Sequence, residues 1–384
     1  MFPSLWATPS VAWTHVIIRT SDEAGGKVTH KWDEGPCAPL PSGSTPVVVR
    51  PNVGSVNVET TPDAPTPEEL EHLVLMATCA PSVHNTQPWQ FVAAPDGLLL
   101  QMDRSRQLSV LDPSRRELLM SCGAATHHLQ VAARAIGFDT DIELLPTSSV
   151  PDVVARLRLS RGTPATDAEV AAAVAILHRH THRGRFAEGQ VPAELLDGLR
   201  VAVEGQHGML RVVQAHELVD VDVLVSRAEQ SLLQTPGYTD ELAQWVWHGK
   251  QSEDRGDGLP LEAIDHGPDR AESLQGRQFG GAPLPRPDEP PAAEHPTVVL
   301  LSTLGDSPVD WVQAGRALSA LLLGATEQGV LAQPIGQVVD VPADRWALQR
   351  LLGTLGAPQM LLRLGLGASV PVSPRRPVSE VLHL

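Results

Sequence analysis

Two stretches of this chain, 192 positions apart, read as the same long helix, and that repeat limits the available folds more than any other feature. The shift sets Gly123 on Gly315, Ala125 on Ala317, Leu129 on Leu321, Val131 on Leu323, Ala133 on Ala325 and Gly137 on Gly329. Each helix follows a turn containing Asp and Pro and precedes a β-like segment, so the surroundings repeat too. Helical patterning in Ala- and Leu-rich segments also favours such agreement by itself. A shorter register of 125 sets Pro67-Glu-Glu-Leu70 on Pro192-Ala-Glu-Leu195 and leaves the second half an additional segment, Glu217 to His295. Together these suggest duplication, two fused copies of one fold.

Local signals place the elements. Thr66, Pro67 and Glu69 form a capping box with proline at the first helical position, ahead of apolar Leu70, Leu73, Val74 and Ala77. Pro81 ends that helix, and a turn leads after Pro88 into a strand from about Trp89. Pro95-Asp96-Gly97 marks a hairpin returning through Leu98 to Leu100. A helix is expected from about Ser114 to Ile136, closed by Gly137, then strands at 140–145 and 153–159. Thr166 and Glu169 repeat the capping box, with Val170, Val174 and Leu177 as the buried face. Later come a helix over 217–250, a strand at 298–302, the long helix 309–328, a loop 330–336 and a strand 359–365.

The net charge of −16, from 29 basic and 45 acidic residues, disfavours a phosphate-backbone partner, so no nucleic acid is expected. Lysine occurs only at 27, 31 and 250, so a lone arginine carries little functional information. Cys37, Cys79 and Cys122 are odd in number and without a CxxC spacing, which suits a reducing cytoplasm. No apolar run reaches membrane-spanning length, and a cytoplasmic protein with no membrane partner is expected. Residues 1–62 have no sustained period and read as a disordered extension. Gly365 and Gly367 lack the third glycine of a dinucleotide fingerprint, and Pro371 and Pro374 forbid its helix.

The stretch Ala80 to Phe91, APSVHNTQPWQF, carries the chemistry. Ser82, Asn85 and Gln87 offer a hydroxyl and two amides that can donate and accept in one plane, as a heteroaromatic ring edge requires; capping and turn closure use the same groups. With Pro81, Pro88 and Trp89 in register, the string resembles the PSxxNxQPW element of the nitroreductase-like flavoproteins, nearest to the actinobacterial Acg-type proteins. The resemblance begins near Pro65. It implies an α+β nitroreductase fold, two fused copies forming a pseudo-dimer of antiparallel-rich sheets flanked by helices, with halves at 63–165 and 166–384.

The resemblance also implies the site. Pro81, Ser82, Val83, Asn85 and Gln87 are expected to contact the isoalloxazine and ribityl part of FMN. Arg179-His-Thr181-His-Arg183 resembles the family's phosphate element with threonine for serine, and guanidinium with hydroxyl suits a phosphate dianion. Arginines near a helix C-terminus can also serve its dipole. A metal at His178, His180 and His182 is disfavoured, because alternate residues share no helix face and no other ligand completes a set. The second-half counterpart of the turn, Val203 to Leu210, has lost its proline and asparagine, so one FMN site per chain is expected at the interface of the halves.

Gln333, Pro334, Ile335 and Gly336 are expected beside flavin N5, and Arg375 and Arg376 near the phosphate. Tyr238, Trp245 and Trp247 are candidates for a substrate pocket or lid, with 251–295 as the lid loop; the two tryptophans share no face. No metal and no catalytic side chain are implied, the chemistry being that of the flavin. The implied function is an FMN-dependent NAD(P)H oxidoreductase acting on a nitroaromatic, quinone or similar small-molecule acceptor, as a monomeric pseudo-dimer or a further homodimer. A non-catalytic FMN-binding protein that sequesters or stores flavin in a stress response is the alternative.

Overall fold

The computed structural model describes residues 64–147, 150, 152–247, 255–260, 274, 295–367 and 373–384. The expected extension 1–62 and most of the expected lid 251–295 lie outside the described residues.

Helix α1, Pro67–Thr78, begins at the capping box: Thr66 accepts from the Glu69 amide and Glu69 accepts from the Thr66 amide. Such a cap stabilises by about 1 kcal/mol. Its buried face includes Leu70, Leu73, Val74 and Ala77, as the period predicts. Strands β1, Trp89–Ala94, and β2, Gly97–Met102, form the hairpin. Helix α2 spans Arg116–Ala135, two residues later than expected, because Arg115 takes a left-handed φ of 66° and Asp112 accepts from the Leu118 amide. Strands β3, Phe138–Leu144, and β4, Val153–Arg161, complete the first sheet.

Helix α3, Asp167–His178, starts at the second capping box. Its fully buried residues are Ala173, Ala175 and Ile176, while Val170, Val174 and Leu177 are only half-buried. The buried face is thus displaced from the expected one, since small side chains let α3 approach its neighbours closely.

The second half repeats the topology of the first. Helix α4, Ala193–Glu204, precedes β5, Gly208–Val212. After helices α5, Leu218–Leu233, and α6, Tyr238–Ala243, come the two-residue strands β6, Val246–Trp247, and β7, Leu259–Pro260. Then follow β8, Thr297–Thr303, the long helix α7, Pro308–Glu327, and β9, Leu331–Ile335. The segment expected as a loop after α7 is therefore mostly strand. Two short helices not expected, α8, Gln337–Asp340, and α9, Pro342–Leu352, lead to β10, Ala357–Gly365.

The first sheet runs β1-β2-β4-β3 and the second β5-β8-β10-β9, all antiparallel. In chain order both read first, second, fourth, third. The insertion bearing α5 and α6 occupies the hairpin connection that in the first half is only Pro95 and Asp96. The chain ends in a strap: after residues 373–377 come α10, Val378–Val381, and β11, Leu382–His383, which adds in parallel to the free edge of β1.

The two halves meet along α2 and α7. A Cβ placed on Gly123 would strike the Val312 carbonyl oxygen, and one on Gly315 would strike that of Met120. Val312 and Met120 are themselves one register apart, so the contact is reciprocal, as across a two-fold axis. On that axis His127 Nδ1 lies 2.8 Å from the Oγ of its own counterpart, Ser319. Apolar side chains flank this seam, Leu118, Leu129 and Phe138 among those packed in the first half and Leu301, Leu321 and Leu362 in the second.

Candidate functional site

The loop between α1 and β1 spans residues 79–88, whereas its second-half counterpart spans only 205–207. The long version is unusual in its backbone. His84, Asn85 and Gln87 all have positive φ, at 46°, 55° and 48°. Asparagine tolerates this region better than most residues, but three such residues in four positions represent stored strain that surrounding contacts must hold.

Those contacts come from distant segments. Asn85 Nδ2 donates to the carbonyls of Gly258 and Pro374, both at 2.9 Å, and its Oδ1 accepts from Arg375 Nη1 at 3.0 Å. Gln87 Nε2 donates to the Gly256 carbonyl at 2.8 Å, and Gln87 Oε1 accepts from the Arg376 amide at 2.9 Å. The two amides expected to face a flavin ring therefore staple the insertion and the C-terminal strap to the turn. Gly256 has φ 67°, and a Cβ there would press on the Arg375 carbonyl, so glycine permits the close approach.

Beside this turn lies a polar cleft of about 330 Å³ of empty space, counted with its open mouth. Pro81, Ser82 and Asn85 line it from the turn, Arg179, His180, Thr181 and Arg183 from the segment after α3, and Ser373 and Arg375 from the strap. The basic segment is held by the second sheet. Thr181 forms a parallel bridge with Ala332 of β9, and the His182 amide donates to the Ala332 carbonyl at 2.9 Å. Arg179 Nη2 donates across to the Cys79 carbonyl at 3.0 Å, and Arg375 Nη2 reaches the same oxygen at 3.4 Å. The cleft is thus assembled from both halves.

Among the described residues, three guanidiniums line it and no carboxylate does. Burial, with Arg375 adding to it, pushes the Arg183 guanidinium down to about 10. Burial pushes His180 down to about 3, with Arg179, Arg375 and His178 contributing, so its imidazole is neutral near pH 7. An anion bearing two charges and several acceptor oxygens would relieve this repulsion and receive bidentate bonds. Among the described residues no cluster of His, Cys, Asp and Glu could hold a metal ion.

Of the other residues singled out in the sequence, Val83 donates its amide to Ser121 Oγ at 3.2 Å and does not line the cleft. Gln333, Pro334 and Ile335 lie in β9, with Gly336 just beyond; the Gln333 side chain is buried and accepts from Arg363 Nη1 at 2.6 Å. Arg376 holds Gln87 and Glu380. Tyr238 is a core residue, packed with Leu108, Leu111, Leu232 and Leu242. Trp245 and Trp247 are both half-buried. Arg106 lies over the Trp245 ring and Arg255 over Trp247, whose Nε1 donates to the Asp257 carbonyl at 3.0 Å. Asp257 also pairs with Arg106 at 2.9 Å. These residues pin segment 255–260 rather than line the cleft. His180 and Ser373 line the cleft without having been singled out as ligands, although His180 sits inside the basic motif and Ser373 adjoins Pro374.

No protein-family profile matches the chain. Among curated proteins, it is 31% identical over 329 residues to Rv3131 of Mycobacterium tuberculosis, named as a candidate NAD(P)H nitroreductase, covering 84% of this chain and 92% of that one. It is 30% identical to acg of the same organism, also named as a candidate NAD(P)H nitroreductase, covering 83% and 96%. Among solved structures, the FMN-dependent nitroreductase NfnB from Mycobacterium smegmatis in complex with NADPH aligns at 17% identity and a TM-score of 0.37, covering 57% of this chain and 99% of that one. A nitroreductase with bound FMN from Desulfitobacterium hafniense aligns at 14% identity and 0.33, covering 55% and 95%.

Proposed function

We propose, from the premise that this chain belongs to the NAD(P)H nitroreductase family that includes Rv3131 and acg, that it is an FMN-dependent NAD(P)H oxidoreductase with one cofactor site, in the cleft between its halves. One observation carries this reading: Arg179, Thr181 and Arg183 from the second half converge with Pro81, Ser82 and Asn85 from the first on a cleft lined, among the described residues, by three guanidiniums and no carboxylate. That donor set fits a phosphate monoester. In this reading Arg179, Arg183 and Arg375 bind the phosphate and the Thr181 hydroxyl adds a further bond. Asn85 and Gln87 hold the strap that delivers Arg375, and Gln333 to Gly336 border the ring. When bound, FMN supplies the two-electron centre that NAD(P)H reduces and that a nitroaromatic or quinone reoxidises. The protein's part is to bind, orient and limit access.

The functional halves in this reading are 63–165 and 166–384, and the protein works in the cytoplasm; no described helix is long and apolar enough to cross a membrane. The docking of segment 255–260 on the turn favours a second reading, a protein that retains FMN without turnover, because that segment occupies the side-chain donors of Asn85 and Gln87. An anaerobic absorbance titration of the FMN-loaded protein with NADPH and then NADH separates the two. Bleaching within seconds supports the oxidoreductase. Bleaching by dithionite alone supports retention, and failure to bind FMN at all overturns both.

A further inference from the structure

Two remote stretches of chain grip the turn through the same two side chains. Asn85 Nδ2 donates at 2.9 Å both to the Gly258 carbonyl of the insertion and to the Pro374 carbonyl of the strap, which turns its Oδ1 toward Arg375 Nη1 at 3.0 Å. Gln87 divides in the same way: Nε2 donates to the Gly256 carbonyl at 2.8 Å, and Oε1 accepts from the Arg376 amide at 2.9 Å. An amide side chain sets its nitrogen and its oxygen together, so each is fully oriented only while both stretches are in place. Segment 255–260 and the strap also approach backbone to backbone, since a Cβ on Gly256 would stand 2.9 Å from the Arg375 carbonyl oxygen.

A buried ion pair fastens the segment to the turn. Asp257 Oδ2 lies 2.9 Å from Arg106 Nη1, its side chain only 4% exposed, and the same Nη1 donates to the Thr86 carbonyl at 2.8 Å. The Gly258 amide adds a bond to the Asn85 carbonyl at 3.2 Å. Among the described residues the ion pairs of Asp257 are with Arg106 and Arg255, not with the strap. The strap is lightly built beyond residue 377: a four-residue helix with Val381 buried, then Leu382 paired with Phe91 and His383 with Val92. Elements this short open at little cost. Arg375, moreover, shares the cleft with Arg179 and Arg183, and like charges oppose its staying there while the cleft is empty.

We propose that segment 255–260 is a latch on the C-terminal strap: while Asp257 holds Arg106, Asn85 and Gln87 keep Arg375 at the cleft, and when the segment lets go the strap swings out and the anion held in the cleft exchanges. The latch itself needs no cofactor. The exchange of the anion rests on the cofactor reading above, and the two are tested separately.

Asp257→Ala removes the ion pair but leaves Arg106 with Asp103 and the Thr86 carbonyl, so no charge is stranded. In the ligand-free full chain, amide hydrogen exchange at 256–260 should rise about 10- to 100-fold, the worth of one charge-assisted bond. At 378–383 it should rise at least about fivefold, while β8 and β10 keep the wild-type rate. No rise at 378–383, or a rise of equal size in β8 and β10, overturns the latch. Coupling is reciprocal, so Leu382→Pro, which disrupts the pairing with β1, should raise exchange at 256–260. Unchanged exchange there also overturns the latch, and this variant decides the matter if Asp257→Ala does not fold. Release of FMN from the loaded full chain on dilution, followed by free-flavin fluorescence, should be at least about fivefold faster for Asp257→Ala. Equal release rates beside a loosened strap overturn the exchange half of the proposal. Absence of FMN binding by the wild type would instead sink the cofactor reading and the exchange half with it, leaving hydrogen exchange to decide the latch.

Discussion

Replacing Asn85 by Ala distinguishes a residue that grips a ligand from one that holds the wall of its site. Asn85 makes two neutral donations, to Gly258 and Pro374, and accepts one charge-assisted bond from Arg375. Net values of about 1 kcal/mol for each neutral bond and 1.5–3 for the charged one suggest a loss of roughly 3–5 kcal/mol. The left-handed φ of 55° adds to this, because alanine lacks the local bonding that eases asparagine into that region. Against a total stability of about 5–15 kcal/mol, this is large. Urea denaturation of the ligand-free protein, followed by tryptophan fluorescence, should show the midpoint falling for Asn85→Ala. Asn85→Asp, which keeps an acceptor for Arg375 and tolerance of the backbone but loses both donations, should fall less. FMN affinity should drop in both. The reasoning fails if Asn85→Ala leaves ligand-free stability within about 0.5 kcal/mol of wild type while FMN affinity is lost, for then Asn85 touches the ligand and the strap does not depend on it.

Arg183→Gln should lower FMN affinity by about 10- to 100-fold, the worth of a charge-assisted bond, while melting no lower than wild type without ligand, because burial and Arg375 disfavour that charge in the folded protein; calorimetry and thermal melts check the two halves of the statement. Burial pushes Asp112 up to about 6, above its unfolded value, so its contribution is present below that unfolded value and is lost as pH rises through 6. Asp112→Asn, which still accepts from the Leu118 amide, should therefore gain about 1–2 kcal/mol near pH 7.5 and nothing below about pH 4, by denaturant titration. Gly123→Ala and Gly315→Ala should destabilise by similar amounts, about 3 kcal/mol or more, because each added methyl meets backbone on the facing helix. A large effect from one and none from the other would contradict the reciprocal crossing.

What could be read from the sequence was what local chemistry encodes. Thr66 with Glu69 and Thr166 with Glu169 announce their helices because the capping box is complete within four residues. The 192 register of the long helices emerged as a physical crossing because glycine is needed wherever backbone meets backbone. The convergence of Ser82, Thr181 and Arg183 was legible through complementary losses in the two halves. The partners of Asn85 and Gln87 were not. Their side chains bond residues 169 to 290 positions away, and a polar amide carries no sign of whether its partner is a ligand or a carbonyl. Trp245 and Trp247 defied a helical reading because Trp247 belongs to a two-residue strand.

The reciprocal seam between α2 and α7 has a consequence for dilution. Two separate chains sharing such a seam would part at low concentration and lose any site built across it. Here the chain itself joins the halves, so each sees the other at an effective concentration of the order of millimolar however dilute the protein becomes. Covalent joining also lets the halves change independently: one turn could shorten to Gly205–His207 and one hairpin could accept a long insertion without the same change striking twice. In an assembly of identical chains every such change would have appeared on both sides of the axis.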